Sequence, residues 1–287
     1  MVTFLNTLSE DDANLCVLVL TASGIHSVAE QAAGGWKILI RAEDYGAAIS
    51  EISTYWKENP PNSAITTGFG DESEDGWHAG LVSAGILALF YMVVDMHPSA
   101  SEIFSLYRAS AGDMVGGDLY RGVTALMLHS DLRHLFGNMV GLGVFASAVF
   151  SLSGTGVGGL MILVTGVVGN LINAWFYGRL HYSVGASTAV FGAVGILVAI
   201  QAVIRLRNSG QGRSPLIPLG GGLALLGFLG AGGPGVDLMA HFFGFAVGLA
   251  VGVGYTLLNA RQPGQRIQRL CLALTVGLVA AGWLRMF

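Results

Sequence analysis

The 287-residue sequence predicts an all-α polytopic membrane protein with a small α+β domain at its N-terminus. Three observations predict this. Charged residues make up only 11% of the chain and hydrophobic ones 53%, too little charge to cover the surface of a soluble fold of this length. Residues 134–178 hold no charged side chain, and after Asp131 the only acid is Asp237. Apolar runs of membrane-spanning length recur along the chain.

Taken in order, residues 1–58 hold eight of the 18 acids against only Lys37, Arg41 and Lys57. Ser9 followed by Glu10, Asp11 and Asp12 is a helix start, with acids favoured by the helix dipole, and a helix is expected from there to Thr21. Residues 25–32 and 36–41 are strand candidates around Gly34-Gly35, a hairpin signal. Residues 43–58 are amphipathic, with Ala47, Ile49, Ile52 and Trp56 as the apolar set. A small soluble α-β-β-α domain is expected. Asn59-Pro60-Pro61 ends it, and the Ser-, Thr-, Gly- and acid-rich stretch 59–78 reads as a linker.

Apolar segments follow at 79–96, 134–151, 157–176, 187–204, 216–232, 236–258 and 267–285, giving seven expected helices. The 43 glycines suit helices that pack closely in lipid. Arg205, Arg207 and Arg213 fall between the fourth and fifth segments, and Arg261, Arg266 and Arg269 between the sixth and seventh. Both loops lie on one side of a seven-helix arrangement, so that side and the N-terminus are expected in the cytoplasm. The N-terminus lacks the basic, apolar and cleavage-site pattern of a signal peptide. Cys16 lies in the soluble part and Cys271 in an apolar segment, so neither a disulfide nor a cysteine metal site is expected.

The chemistry sits where lipid should be. Polar and ionisable groups at membrane depth are costly and are functional candidates by default. His129, His134 and Asn138 form an H-x4-H-x3-N pattern at the entry to the second helix. His134 and Asn138, four apart, share one helix face and could hold an oxyanion. Capping and interfacial anchoring would explain the same residues. Three zinc ligands from His129, His134 and His241 are a further reading, weakened by the lack of nearby acids. Ser187 opens the fourth helix among small neighbours, which by itself fits a helix N-cap. His241 heads a Gly244, Gly248, Gly252 face of the small-xxx-small type. If the fourth helix docks there through Ser187, Gly192 and Gly195, serine and histidine meet at compatible depths, the minimum equipment for nucleophilic catalysis.

This set resembles the rhomboid intramembrane serine proteases. Gly185-Ala186-Ser187 is similar to the family's nucleophile motif, Ala240-His241 with Gly244 to its general-base motif, and His134 with Asn138 to its oxyanion pair. Gly117-Asp118-Leu119-Tyr120-Arg121 resembles the Trp-Arg element of the first loop, with Tyr120 in place of tryptophan. The resemblance covers residues 79–258 and implies a rhomboid-like six-helix core, with 259–287 as a loop and an extra C-terminal transmembrane helix. It implies that Ser187 and His241 form a catalytic dyad, that His134, Asn138 and the Ser187 N–H bind the oxyanion, and that the chain cleaves transmembrane segments of membrane proteins within a lipid bilayer. No cofactor, metal or nucleic acid enters this scheme. Two departures stand out. Thr188 replaces the usual glycine after the serine, and its side chain is expected to narrow the approach to the oxyanion site. Phe191 replaces a frequent tyrosine and can stack on His241 without donating a hydrogen bond. Asp237, one turn before His241, is either a third member or a solvated helix cap. An inactive relative that binds membrane clients is the first rival. A small transporter is the second, opposed by the lack of an internal repeat.

Overall fold

The computed structural model describes residues 1–32, 34–58, 74–207, 214–230, 236–258 and 262–284. Two compact units divide the chain, residues 1–66 and 67–287. Most of the expected linker, along with Arg213 and Arg261, lies outside the described residues.

The first unit contains β1 (Val2–Leu8), α1 (Glu10–Ala22), β2 (Ser27–Ala32), β3 (Gly35–Ile40) and α2 (Tyr45–Glu58). Its antiparallel sheet has the order β1-β3-β2. Ser9 caps α1, its hydroxyl accepting from the Asp12 N–H at 3.1 Å. Gly34 and Gly35 have φ of +106° and +138°, the region that glycine tolerates best. The strand β1 was not foreseen; it pairs with the far edge of β3, a partner that local pattern does not reveal. The buried face of α2 is also shifted. Ala48 and Ile52 face Ala13, Cys16 and Leu20 of α1 and Ile38 and Ile40 of β3, while Ala47 and Ile49 are exposed.

The second unit is helical. Long helices are α3 (Glu74–Asp95), α7 (Leu132–Ser153), α8 (Thr155–Tyr177), α9 (Ser187–Arg207), α10 (Leu216–Gly230), α11 (Leu238–Leu258) and α12 (Gln265–Trp283). Between α3 and α7 lie α4 (Ala100–Tyr107), the two-residue strand β4 (Ala109–Ser110), α5 (Ala111–Val115) and α6 (Arg121–Thr124); the matching strand β5 (Tyr182–Ser183) precedes α9. α3 begins inside the expected linker. Among the described residues each of the seven apolar segments forms a helix, but only five helices are long and apolar enough to cross a membrane: those starting at Gly76, Leu132, Thr155, Ser187 and Leu238. The chain is therefore an integral membrane protein. The other two differ for separate reasons. α10 has 15 residues, about 22 Å at about 1.5 Å per residue, short of an average hydrocarbon core of about 30 Å. α12 opens on Gln265, Arg266, Gln268 and Arg269, which lower its hydropathy.

α9 is the central helix. It touches α7, α8, α10 and α11, and 61% of its apolar window is buried, against 22% for the peripheral α3. Small residues let α11 lie against it. Methyl groups added at Gly195 and Gly248 would collide with the carbonyl oxygens of Phe245 and Gly192, and one at Gly252 would sit 2.7 Å from the Ile196 oxygen. The two backbones are therefore in direct contact.

α12 runs beside α8. At its start the Gln268 Oε1 accepts from Gly156 N and Val157 N, both at 2.9 Å, and its Nε2 donates to the Ser153 carbonyl at 2.8 Å. One amide thus satisfies donors that open α8 and an acceptor that closes α7, groups that lipid would leave unpaired. At its other end Trp283 stacks on Tyr107 (4.5 Å, 24°) and meets Phe90 (4.6 Å). Tyr120, at the resemblance's tryptophan position, meets the same Tyr107 edge-on. The neighbouring Arg121 is buried, paired with Asp113 and Asp118, and donates to the Ser105 and Arg108 carbonyls.

Candidate active site

The residues before α9 set the site. Gly185 has φ +117° and its N–H donates to the Ala125 carbonyl at 2.8 Å. A side chain there would also lie 2.5 Å from His134 Nε2 and 3.2 Å from Asn138 Nδ2. Backbone conformation and space both require glycine. Ser187 follows at the first turn of α9, half-buried, where unpaired N–H groups and the positive end of the helix dipole lie.

His134 and Asn138 come together on α7 as their spacing predicts, both facing Gly185. Asn138 is 5% exposed, and its Nδ2 has no hydrogen-bond partner among the described residues. A buried donor left so costs about 1–3 kcal/mol, which a function would explain. Two further residues, Ser130 and Asp131, contact His134. Asp131 caps α7, accepting from the His134 N–H at 2.9 Å. Ser130 Oγ lies 2.9 Å from the Asp131 carboxylate and 3.1 Å from His134 Nδ1. The hydroxyl has one proton: given to the Asp131 carboxylate, it leaves Oγ to accept from Nδ1–H, and given to Nδ1, it leaves the ring proton on Nε2, the nitrogen that faces Gly185. The His134 N–H and then the Ser130 hydroxyl hold the Asp131 carboxyl below the usual carboxylate range. Ser-Asp directly before an apolar helix was a capping signal available in the sequence.

His129 stands apart from the zinc reading. Its ring meets that of His134 edge-on at 5.3 Å. Burial first, and the nearby His134, push it down to about 4, so it is neutral at pH 7. Among the described residues no three His, Cys, Asp or Glu side chains gather as a metal site would need.

His241 lies in the first turn of α11, 7% exposed, stacked on Phe191 at 4.7 Å and 30°. Ser187, His241, His134 and Asn138 line one cavity of ≈ 920 Å³. Thr188 lines the same cavity. It is 2% exposed, and its Cγ2 fills the space left by Gly169 and Gly244, while His134 and Asn138 face Gly185. Its methyl thus serves the helix seam.

Asp237 does cap α11, its Oδ1 accepting from Ala240 N at 3.1 Å, but it is not a solvated cap. Its side chain is 12% exposed, and Oδ2 accepts from Asn173 Nδ2 at 2.7 Å and meets His181 Nε2 at 2.5 Å. His181 also lines the cavity and went unnoticed in the sequence, where nothing local links residues 181 and 237.

Residues 116–258 match the family model of the rhomboid domain. Over 207 residues the chain is 27% identical to the rhomboid protease GluP of Bacillus subtilis (strain 168), covering 70% of this chain and 39% of that protein. Over 170 residues it is 31% identical to the mitochondrial RHOMBOID-like protein 6 of Arabidopsis thaliana, covering 58% and 53%. The chain therefore spans only about half or less of the length of these two relatives.

Proposed function

The chain belongs to the rhomboid family, and on that premise we propose that it is an intramembrane serine endopeptidase that cleaves transmembrane segments of membrane proteins. The observation that carries the reading is a buried, unpartnered Asn138 donor beside His134 at the backbone that leads into Ser187. Ser187 Oγ attacks the peptide carbonyl while His241 takes its proton. The carbonyl oxygen becomes an oxyanion, held by the Ser187 N–H, His134 Nε2 and Asn138 Nδ2. The C–N bond breaks as His241 returns the proton to the leaving amine. Water, deprotonated by His241, then hydrolyses the acyl-enzyme and frees Ser187. The placement of Thr188 in the helix seam supports an active enzyme over an inactive client binder.

The same reading sets the topology. Arg205 and Arg207 face the cytoplasm with the N-terminal domain, and the cavity opens on the outer side. α12 extends from the opening of α8 to Val123 and Thr124 on α6, so it crosses with α8 as a further span. Substrate helices unwind locally near small or helix-breaking residues to expose the scissile carbonyl.

The test is cleavage of a single-span substrate by purified protein in lipid vesicles. His134→Ala and Asn138→Ala should each slow it by about 10²–10³-fold without abolishing it; an unchanged rate in both would remove the oxyanion assignment. Removing residues 1–66, a separate compact unit, should leave the rate unchanged, because it holds none of the site residues. Loss of activity in a truncated protein that still inserts would show that the N-terminal unit takes part.

A further inference from the structure

Asp237 is the only acid after Asp131, and it is mostly buried in the second unit. Burying a carboxylate is costly unless its oxygens are well bonded. A helix cap alone needs no charge, since Ser, Thr or Asn caps as well. The carboxylate instead joins three segments. Oδ1 and the main-chain carbonyl hold the first turn of α11, accepting from Ala240 N (3.1 Å) and His241 N (3.2 Å). Oδ2 bonds Asn173, near the end of α8 and 1% exposed, and His181, in the segment that leads through β5 to Ser187.

His181 is fixed in turn. Its ring stacks on Tyr177 at 4.0 Å and 18°, and its carbonyl accepts from Ala111 N at 2.9 Å. One carboxylate therefore links the helix start that carries His241 to the strand that delivers Ser187. We propose that Asp237 is a positioning residue that acts through His181 and Asn173 to hold His241 in register with Ser187. This rests on reading Ser187 and His241 as the catalytic pair. Hydrogen bonds to a carboxylate are about twice as strong as neutral ones, and a misplacement of about 1 Å can cost about 10²-fold in rate. The expected effect is therefore on turnover.

The experiment uses the full chain in lipid vesicles, with kcat and KM measured separately on one single-span substrate. His181→Ala should lower kcat by about 10- to 100-fold and leave KM unchanged. His181→Gln, whose amide can still donate to Oδ2, should recover most of that loss, which a role in packing alone would not produce. The double variant His181→Ala/Asp237→Ala should be no slower than Asp237→Ala, because both remove one linkage. Asp237→Asn, which keeps a capping oxygen but loses the charge, should remain slow. Wild-type kcat in His181→Ala overturns the proposal, as does independent addition of the two effects or a change confined to KM. If Asp237→Ala loses about 10⁴-fold and His181→Ala loses nothing, Asp237 acts on the His241 ring directly and the proposal also fails. Where an alanine variant does not insert, His181→Gln and Asp237→Asn decide. Ser187→Ala runs in parallel: if it is inactive while His181→Ala is normal, only the positioning role falls. If Ser187→Ala is active, the catalytic pair falls and takes this proposal with it.

Discussion

Ser187→Ala should reduce cleavage of a transmembrane substrate to background. The change removes a single oxygen, and alanine favours helix at least as well as serine, so the variant should insert and unfold like the parent. His241→Ala should abolish cleavage equally, although losing the stacked pair with Phe191 costs about 1 kcal/mol of stability beyond the lost burial. If the two side chains act as one unit, each single change should cost about 10⁶-fold and the double variant no more. Effects that multiply would mean that they do not share one step. Cleavage should also survive chelation, because no metal takes part in the scheme. Inhibition by chelators in a Ser187→Ala protein that still cleaves would return attention to the histidines.

Gly195→Ala should have the second large effect. The added methyl collides with the Phe245 carbonyl oxygen and sits 2.9 Å from the Leu249 nitrogen and 3.0 Å from the Gly248 Cα. These are backbone atoms, which cannot swing aside as a side chain can. α9 and α11 must separate, at a cost of about 1–3 kcal/mol. Because one helix carries Ser187 and the other His241, a shift of about 1 Å should slow cleavage by about 10²-fold, a larger loss than the stability change implies. Gly254→Ala on α11 is the control. Nothing lies within 4 Å of a methyl there, so it should be neutral or stabilise by up to about 1 kcal/mol. Thermal unfolding and cleavage rates, measured together, check both. Equal behaviour of the two variants would show that the seam does not set the geometry.

Much of this was legible because lipid imposes simple rules. Apolar length marks the helices, and glycines four apart mark the face on which α11 packs, so Ser187 and His241 could be brought together before any coordinates. His134 and Asn138 were readable because i and i+4 share a face. What escaped depends on contacts between distant segments. Asp237 sits one turn before His241, so local spacing offered that ring or solvent as its surroundings. The carboxylate went instead to His181 and Asn173, which only the folded chain brings near. Thr188 was expected to narrow the approach to the oxyanion site; it lines the cavity, but the direction of its methyl depends on where Gly169 and Gly244 leave room. Ser130 and Asp131 are a different case. Their capping pattern stood in the sequence, but its link to the His134 tautomer became clear only with the ring in place.

The most direct test of the central claim is the mass of the protein after exposure to a fluorophosphonate, which phosphonylates an activated serine and loses fluoride. A Ser187–His241 dyad predicts one adduct per chain, on the peptide that contains Ser187, with none formed in His241→Ala. An adduct elsewhere, undiminished labelling without His241, or no labelling of a protein that cleaves its substrate would contradict it.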